Sequence, residues 1–404
     1  MVVSPSAEFT LRRTEGLRTG LSNHQTPLLT RRTGLTKLTR ETANQGWAVL
    51  IRPFAAILKR LALPPKAPFG RSFRGTASPI PLERSVRGRW VGQGKVDMAR
   101  FDYLEARTLR QAISLGQRYG QRARFVAGST DFLIRWRQGV WQPEYVINIQ
   151  HISSLSRVSY NSRDGLRLGS LVTVQTLESH PIIRRRYPAL SASAASFAGV
   201  HVRNLATVGG NVCNASPAGD TLPALLAFEA SCRIAGPGGE RWLPLDQFFT
   251  GPGQTALEPG EVLAELRLPP PLPDTGSLYI KHSPRGGMDI ATLGVASVVS
   301  LQEQGSVFGD VKIALGAVAP TPIRAYTAEE MLRGRAITPE LIAAAAAEAE
   351  SRVTPIDDLR GSALHRKSMV RVLTQRTLER AVDMARKVPM PFELQRSLAV
   401  QAVF

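Results

Sequence analysis

Cysteine is nearly absent from this chain. Only Cys213 and Cys232 occur in 404 residues. That excludes a disulfide framework, and it excludes an iron–sulfur or zinc site built from this chain's cysteines alone, because such sites take about four ligands. Two isolated thiols read as small, semi-buried residues of a protein in a reducing cytoplasm. Histidine is also scarce, and His151, His180, His201 and His282 show no metal-triad spacing. Long apolar runs are missing. The best stretch, Trp47 to Leu63, is broken by Arg52, Pro53, Lys59 and Arg60, so neither a transmembrane span nor a secretory signal is expected.

Acidic residues are under-represented, with 51 Lys+Arg against 32 Asp+Glu. The excess is uneven. Residues 1–97 hold 17 basic and 5 acidic side chains, a net +12 of the total +19. This segment also lacks any sustained period of 2 or 3.6. Three readings stand for it. The favoured one is an upstream extension outside the native protein, with synthesis starting at Met98; the others are a disordered basic tail and an arm for nucleic acid or a membrane surface. The alternative function of the whole chain, a basic nucleic-acid-binding protein acting through residues 1–97, rests on composition alone.

From Met98 the character changes. A short strand at FDY precedes a helix with Leu109, Ala112, Ile113 and Leu115 on its apolar positions, closed by Gly120. Next, RFVAGSTDFLIRW reads as a strand (Phe125 to Ala127), a small polar loop (Gly128, Ser129, Thr130, Asp131), and a new periodic element from Phe132. Such a loop points several backbone N–H groups at one spot and forms an anion nest. It matches neither the G-x-G-x-x-G nor the Gly-Lys-Ser/Thr pattern. A second glycine loop is expected in ATVGGNVCNASPAGD, where Gly209 and Gly210 allow close approach, Thr207, Asn211, Asn214 and Ser216 supply short polar groups, and Asp220 caps the following helix. Two such loops suit a ligand with two phosphates, and flavin is favoured over nicotinamide because the Rossmann spacing is missing.

Three stretches, AGSTD at 127–131, FAGVHVRNLATVGGNVCNASPAGDTLPALLA at 197–227 and YIKHSPRGGMDIATLGVA at 279–296, resemble the FAD-binding medium subunit of the molybdenum hydroxylases. That family comprises xanthine dehydrogenase, aerobic carbon monoxide dehydrogenase and 4-hydroxybenzoyl-CoA reductase. The resemblance runs from about residue 98 to about 385. It implies a pyrophosphate loop over Phe125, Val126, Ala127, Gly128, Ser129, Thr130, Asp131 and Phe132, and a second cofactor segment with Thr207, Gly209, Gly210 and Asn211. It also implies that Phe197 packs on the adenine or ring region, that Asp220 hydrogen-bonds the polar part of the flavin, that Lys281 lies near the isoalloxazine edge, and that Leu263 gives an apolar contact. One departure stands out: the bacterial pattern is AGGTD or AGGQS, and Ser129 replaces the second glycine.

The expected fold class is α+β. A two-subdomain FAD-binding fold of the vanillyl-alcohol-oxidase/PCMH type spans 98–272, with strands near 144–149, 165–169 and in EVLAELRLP and helices near 173–179 and 187–198. After the PPPLPDTG linker, a C-terminal domain at 276–385 groups three Val- and Ile-rich strands before helices at 327–334, 338–351 and 364–385, with 386–404 as a tail. By resemblance, the chain is an oxidoreductase subunit with no catalytic acid or base and no metal ligand of its own. FAD is its cofactor, while molybdopterin and [2Fe–2S] clusters belong to a large and a small partner in a heterotrimer or its dimer. Electrons leave for NAD⁺, a quinone or oxygen.

Overall fold

The structure, a computed structural model, describes residues 100–387. Residues 1–99, which include the basic segment 1–97 and Met98, and the tail from 388 onward lie outside the described residues.

The chain begins with a βαβαβ unit. Strands β1 (Asp102–Glu105), β2 (Ala123–Val126) and β3 (Tyr145–Asn148) form a parallel sheet in the order β1-β3-β2. The helix Leu109–Tyr119 connects the first two. Thr108 caps it by accepting from the Gln111 amide, and it stops at Gly120, whose φ is +53°. Its Ala112 is buried, and Leu109, Ile113 and Leu115 pack on the same small core.

A second, antiparallel sheet follows, made of β4 (Val158–Asn161), β5 (Gly165–Gly169), β6 (Ser231–Gly236), β7 (Gly239–Pro244) and β10 (Val262–Leu268) in the order β4-β5-β10-β6-β7. A small ribbon, β8 (Phe249–Gly251) with β9 (Gln254–Thr255), lies between β7 and β10 in the chain. Between β5 and β6 run six short helices, and their apolar side chains share one core with the sheet. The expected helix at 187–198 is observed as Pro188–Ala195. It is shorter because the carbonyls of residues 195, 197 and 198 accept from a buried guanidinium, that of Arg203.

Past three consecutive prolines, β11 (Thr275–His282), β12 (Leu293–Gln302), β13 (Val307–Gly316) and β14 (Ile323–Arg324) form an antiparallel sheet in chain order. The helices Tyr326–Leu332, Pro339–Ser351 and Ala363–Ala385 follow, and their Ala345, Ala349, Leu373 and Leu378 share a core with Val295, Val299 and Ile313 of the sheet. Tyr279, Ala296 and Ala314, on the other face of this sheet, join the core of the preceding segment instead. The linker is held as well, since Tyr187 donates its hydroxyl proton to the Pro269 carbonyl at 2.8 Å. Among the described residues no helix is long and apolar enough to cross a membrane.

Candidate functional site

Strand β2 carries the chain to the loop 127–131. Gly128 there lies against another backbone: a Cβ at this position would stand 1.9 Å from the Leu205 carbonyl oxygen. The first motif therefore touches the 197–214 segment without an intervening side chain. Ser129 has φ +58°, a left-handed conformation that glycine adopts freely and other residues do at a cost of about 1–2 kcal/mol. Its hydroxyl donates to the Ala127 carbonyl at 3.2 Å. The family's usual glycine at this place is thus explained by backbone shape. Ser129→Gly is expected to retain cofactor and to change stability by no more than about 1 kcal/mol, because relief of strain offsets added unfolded-state entropy; thermal unfolding of both forms with and without added FAD checks this.

The amides of Gly128, Ser129, Thr130, Asp131 and Phe132 donate to no other group of the described residues. Five adjacent N–H groups left open at a cleft make the nest that a phosphate would fill.

The second segment differs from expectation. Gly209 and Gly210 are in a helix, Val208–Asn214, and not in a loop. Thr207 caps it by accepting from the Gly210 amide at 3.0 Å, while the Val208 and Gly209 amides donate to Val172 and Ser170 carbonyls. Its first amides are spent, so it is no second nest. Gly209 is small because a Cβ would meet the Ser170 Cβ at 2.5 Å. Asn211 accepts from the buried Thr221 hydroxyl at 2.7 Å.

Between these segments lies a cleft of about 530 Å³, bordered by Phe125, Val126, Ala127, Thr207, Gly209, Gly210 and Leu263 among others. A smaller cleft of about 130 Å³ shares Phe125 to Ala127, Thr207 and Gly210 with it and adds the 128–132 loop, Phe197 and Asn211. The structure thus brings fourteen of the sixteen expected site residues to one connected groove. Its donor set suits a phosphorylated dinucleotide and not a metal. Among the described residues, two buried acceptors along it, Ser170 Oγ and Asn214 Oδ1, have no partner, and no metal-holding cluster occurs.

Asp220 and Lys281 are the two that line neither cleft. They are buried together, with Lys281 Nζ donating to Asp220 Oδ2 at 2.9 Å and to the carbonyls of Ser196 (3.0 Å) and Asp289 (2.6 Å). All three ammonium protons are used. The expected helix cap at Asp220 is not made: the residue sits at the start of Thr221–Ala227, but its carboxylate accepts from Lys281 and from the Tyr279 hydroxyl (3.2 Å). A buried charge partner wins over a local amide. The long strand β11 delivers both donors because Tyr279 and Lys281 share one of its faces.

Burial pushes the Asp220 carboxyl up to about 6, with Lys281 and Tyr279 pulling the other way. An unfolded aspartate releases its proton near 3.8, so between these values the folded state holds the extra proton and stability falls as pH rises. Above about pH 6 the contribution is level. Urea unfolding at a series of pH values is expected to show this slope between about pH 4 and 6 and to lose it in Asp220→Asn.

Arg203 organises the neighbouring turn. Its Nη1 donates to the carbonyls of Ala195, Phe197 and Ala198, and Nε lies 2.9 Å from Glu178. These bonds hold the Ala198 backbone at φ +40° and set Phe197 on the cleft wall. The sequence reading missed Arg203, and it also missed Arg124 and Trp141, which line the smaller cleft with the Arg124 guanidinium 3.9 Å from the centre of the indole ring. Position next to Phe125 was a usable signal for Arg124; nothing local marks Trp141. Cys213, read as a bland thiol, lines both clefts, and burial pushes its pKa up to about 12. Arg285 and Asp289 form an ion pair in the turn after β11.

Comparison with known proteins identifies the family. Residues 99–271 match the FAD binding domain in molybdopterin dehydrogenase, and residues 279–381 match the CO dehydrogenase flavoprotein C-terminal domain. The chain is 34% identical to the xanthine dehydrogenase FAD-binding subunit of Escherichia coli O157:H7 over 284 residues, covering 70% of this chain and 96% of that one. It is 33% identical to the carbon monoxide dehydrogenase medium chain of Hydrogenophaga pseudoflava over 282 residues, 70% of this chain and 97% of that one. A solved structure of carbon monoxide dehydrogenase from the same organism superposes with a TM-score of 0.68 at 34% identity, covering 71% of this chain and 98% of the other. The chain belongs to the FAD-binding subunits of the molybdenum hydroxylases, the xanthine and carbon monoxide dehydrogenase type, with a PCMH-like α+β domain followed by the family's C-terminal domain.

Proposed function

We propose that this subunit relays electrons within a cytoplasmic complex of three kinds of chain. A large partner with molybdopterin would oxidise the substrate, a small partner would carry two [2Fe–2S] clusters, and this chain would pass the electrons on to NAD⁺ or a quinone. The assembly would be a heterotrimer or its dimer, with residues 98–272 binding FAD and 276–385 completing the flavin site. When bound, FAD would supply the exchange between one-electron and two-electron chemistry.

The residues divide the remaining work. The open amides of 128–132 would hold the pyrophosphate, and this nest, at the edge of the two adjoining clefts, is the observation that carries the reading. Thr207, Gly209, Gly210 and Asn211 form the opposite wall, with Phe125 and Leu263 as apolar contacts and Phe197 beside the ring or adenine. Asp220 and Lys281 act by fixing the turn at Ser196 through buried charge, one residue from Phe197. No proton transfer by a side chain is needed.

The electron-delivery half has its own test. The purified full chain loaded with FAD is reduced anaerobically, then mixed with NAD⁺, a water-soluble quinone or oxygen while flavin absorbance is followed. Reoxidation by one acceptor at least about tenfold faster than that of free reduced FAD is expected. Equal rates with all three would remove the acceptor assignment.

A further inference from the structure

Two histidines outside the cofactor groove meet ring to ring. His282 ends β11 and His365 is in the first turn of the helix Ala363–Ala385, 83 residues later. Their Nε2 atoms are 3.1 Å apart and their ring centroids 5.2 Å apart. Strand register explains the encounter. His282 pairs with Leu293 and Ile280 with Val295, on the sheet face that the helix covers, whereas Tyr279 and Lys281 face the other way toward Asp220. His365 is held from its own side, because its amide donates to the capping hydroxyl of Ser362 at 3.2 Å. Gly361 keeps the approach narrow but open: a Cβ there would be 3.5 Å from the His365 ring. His365 is exposed and His282 half-buried, so water and ions reach the pair.

We propose that His282 and His365 form a two-ligand site for a late first-row divalent cation such as Cu²⁺, Ni²⁺ or Zn²⁺, with water completing the coordination. Metal–imidazole bonds of about 2.05 Å on nitrogens at the observed spacing would subtend roughly 98°, between square-planar and tetrahedral angles. No carboxylate or thiol of the described residues joins them, which favours imidazole-preferring ions over Mg²⁺ or Ca²⁺. On binding, the ring that now donates from Nε2 moves that proton to Nδ1, and both rings turn from facing each other so that their Nε2 lone pairs converge on the ion. The ion would clamp β11, which carries Lys281 on its opposite face, to the longest helix of the domain.

Cu²⁺ is the probe, since it binds such sites most tightly and reports its ligands magnetically. The metal-stripped full chain is titrated, and the bound ion is examined by electron paramagnetic resonance. One equivalent with two imidazole nitrogens is expected. His282→Gln and His365→Gln should each weaken binding roughly tenfold or more, while His151→Gln leaves it unchanged. Should either variant misfold, the nitrogen count on the unaltered chain decides alone. Binding that survives both substitutions, a one-nitrogen signal, or no stoichiometric uptake overturns the proposal and leaves the pair as a hydrogen bond between strand and helix.

Discussion

Gly128→Val is expected to yield a chain that neither retains FAD nor folds stably. A Cβ at Gly128 would lie 1.9 Å from the Leu205 oxygen and 2.6 Å from its carbon. These are backbone atoms that cannot swing aside, so one segment must move away from the other. Overpacking in a core commonly costs about 1–3 kcal/mol, and a clash with fixed backbone exceeds that. The same displacement would open the groove at the point where its two walls meet. Gly238→Ala is the control, since nothing lies within 4 Å of its Cβ position. Loss of both flavin and a cooperative melt in Gly128→Val, with neither lost in the control, is the expected pair of results. A Gly128→Val protein with normal cofactor content would show that the two segments do not touch as described.

The second large effect concerns Lys281. Lys281→Met leaves the Asp220 carboxylate buried without its cation and strips the donor from the Ser196 and Asp289 carbonyls. Breaking one partner out of a buried pair costs about 3–5 kcal/mol. Asp220→Asn should cost less, because the amide oxygen can still accept from Lys281 while the amide N–H donates to the Tyr279 hydroxyl oxygen. The double variant should recover part of the sum, since the two residues act as one unit. Denaturant midpoints of the three variants measure the coupling. Additive effects would mean that the pair is not a unit, and a loss below about 1 kcal/mol for Lys281→Met would mean it is solvated.

What was legible in the sequence was local. The C-terminal strands were readable because Val, Ile and Ala recur through β12 and β13, and the last helix because its start carries a Ser cap and its length leaves no other choice. The loop 127–131 was readable from a strand that stops at a glycine. The second motif was misread for the same reason: two glycines in a row suggest a loop, yet Thr207 caps a helix there, Gly209 is required by Ser170 pressing from another strand end, and a Cβ at Gly210 would meet the capping Thr207 hydroxyl at 2.9 Å. Asp220 was assigned a local cap, but its partner stands 61 residues away on β11, too distant for any spacing rule. Arg203, Trp141 and the two facing histidines were invisible on the same ground. Each acquires its role from an element that only the fold brings near.

The proposed function rests on FAD lying in the groove between the 127–131 loop and the helix Val208–Asn214. Its most direct test is the absorption spectrum of the purified full chain, with the released cofactor identified by mass and counted against protein. Flavin absorption and FAD, not FMN, at about one per chain are the expected result. A folded chain that is colourless as purified and stays colourless after incubation with FAD would contradict it.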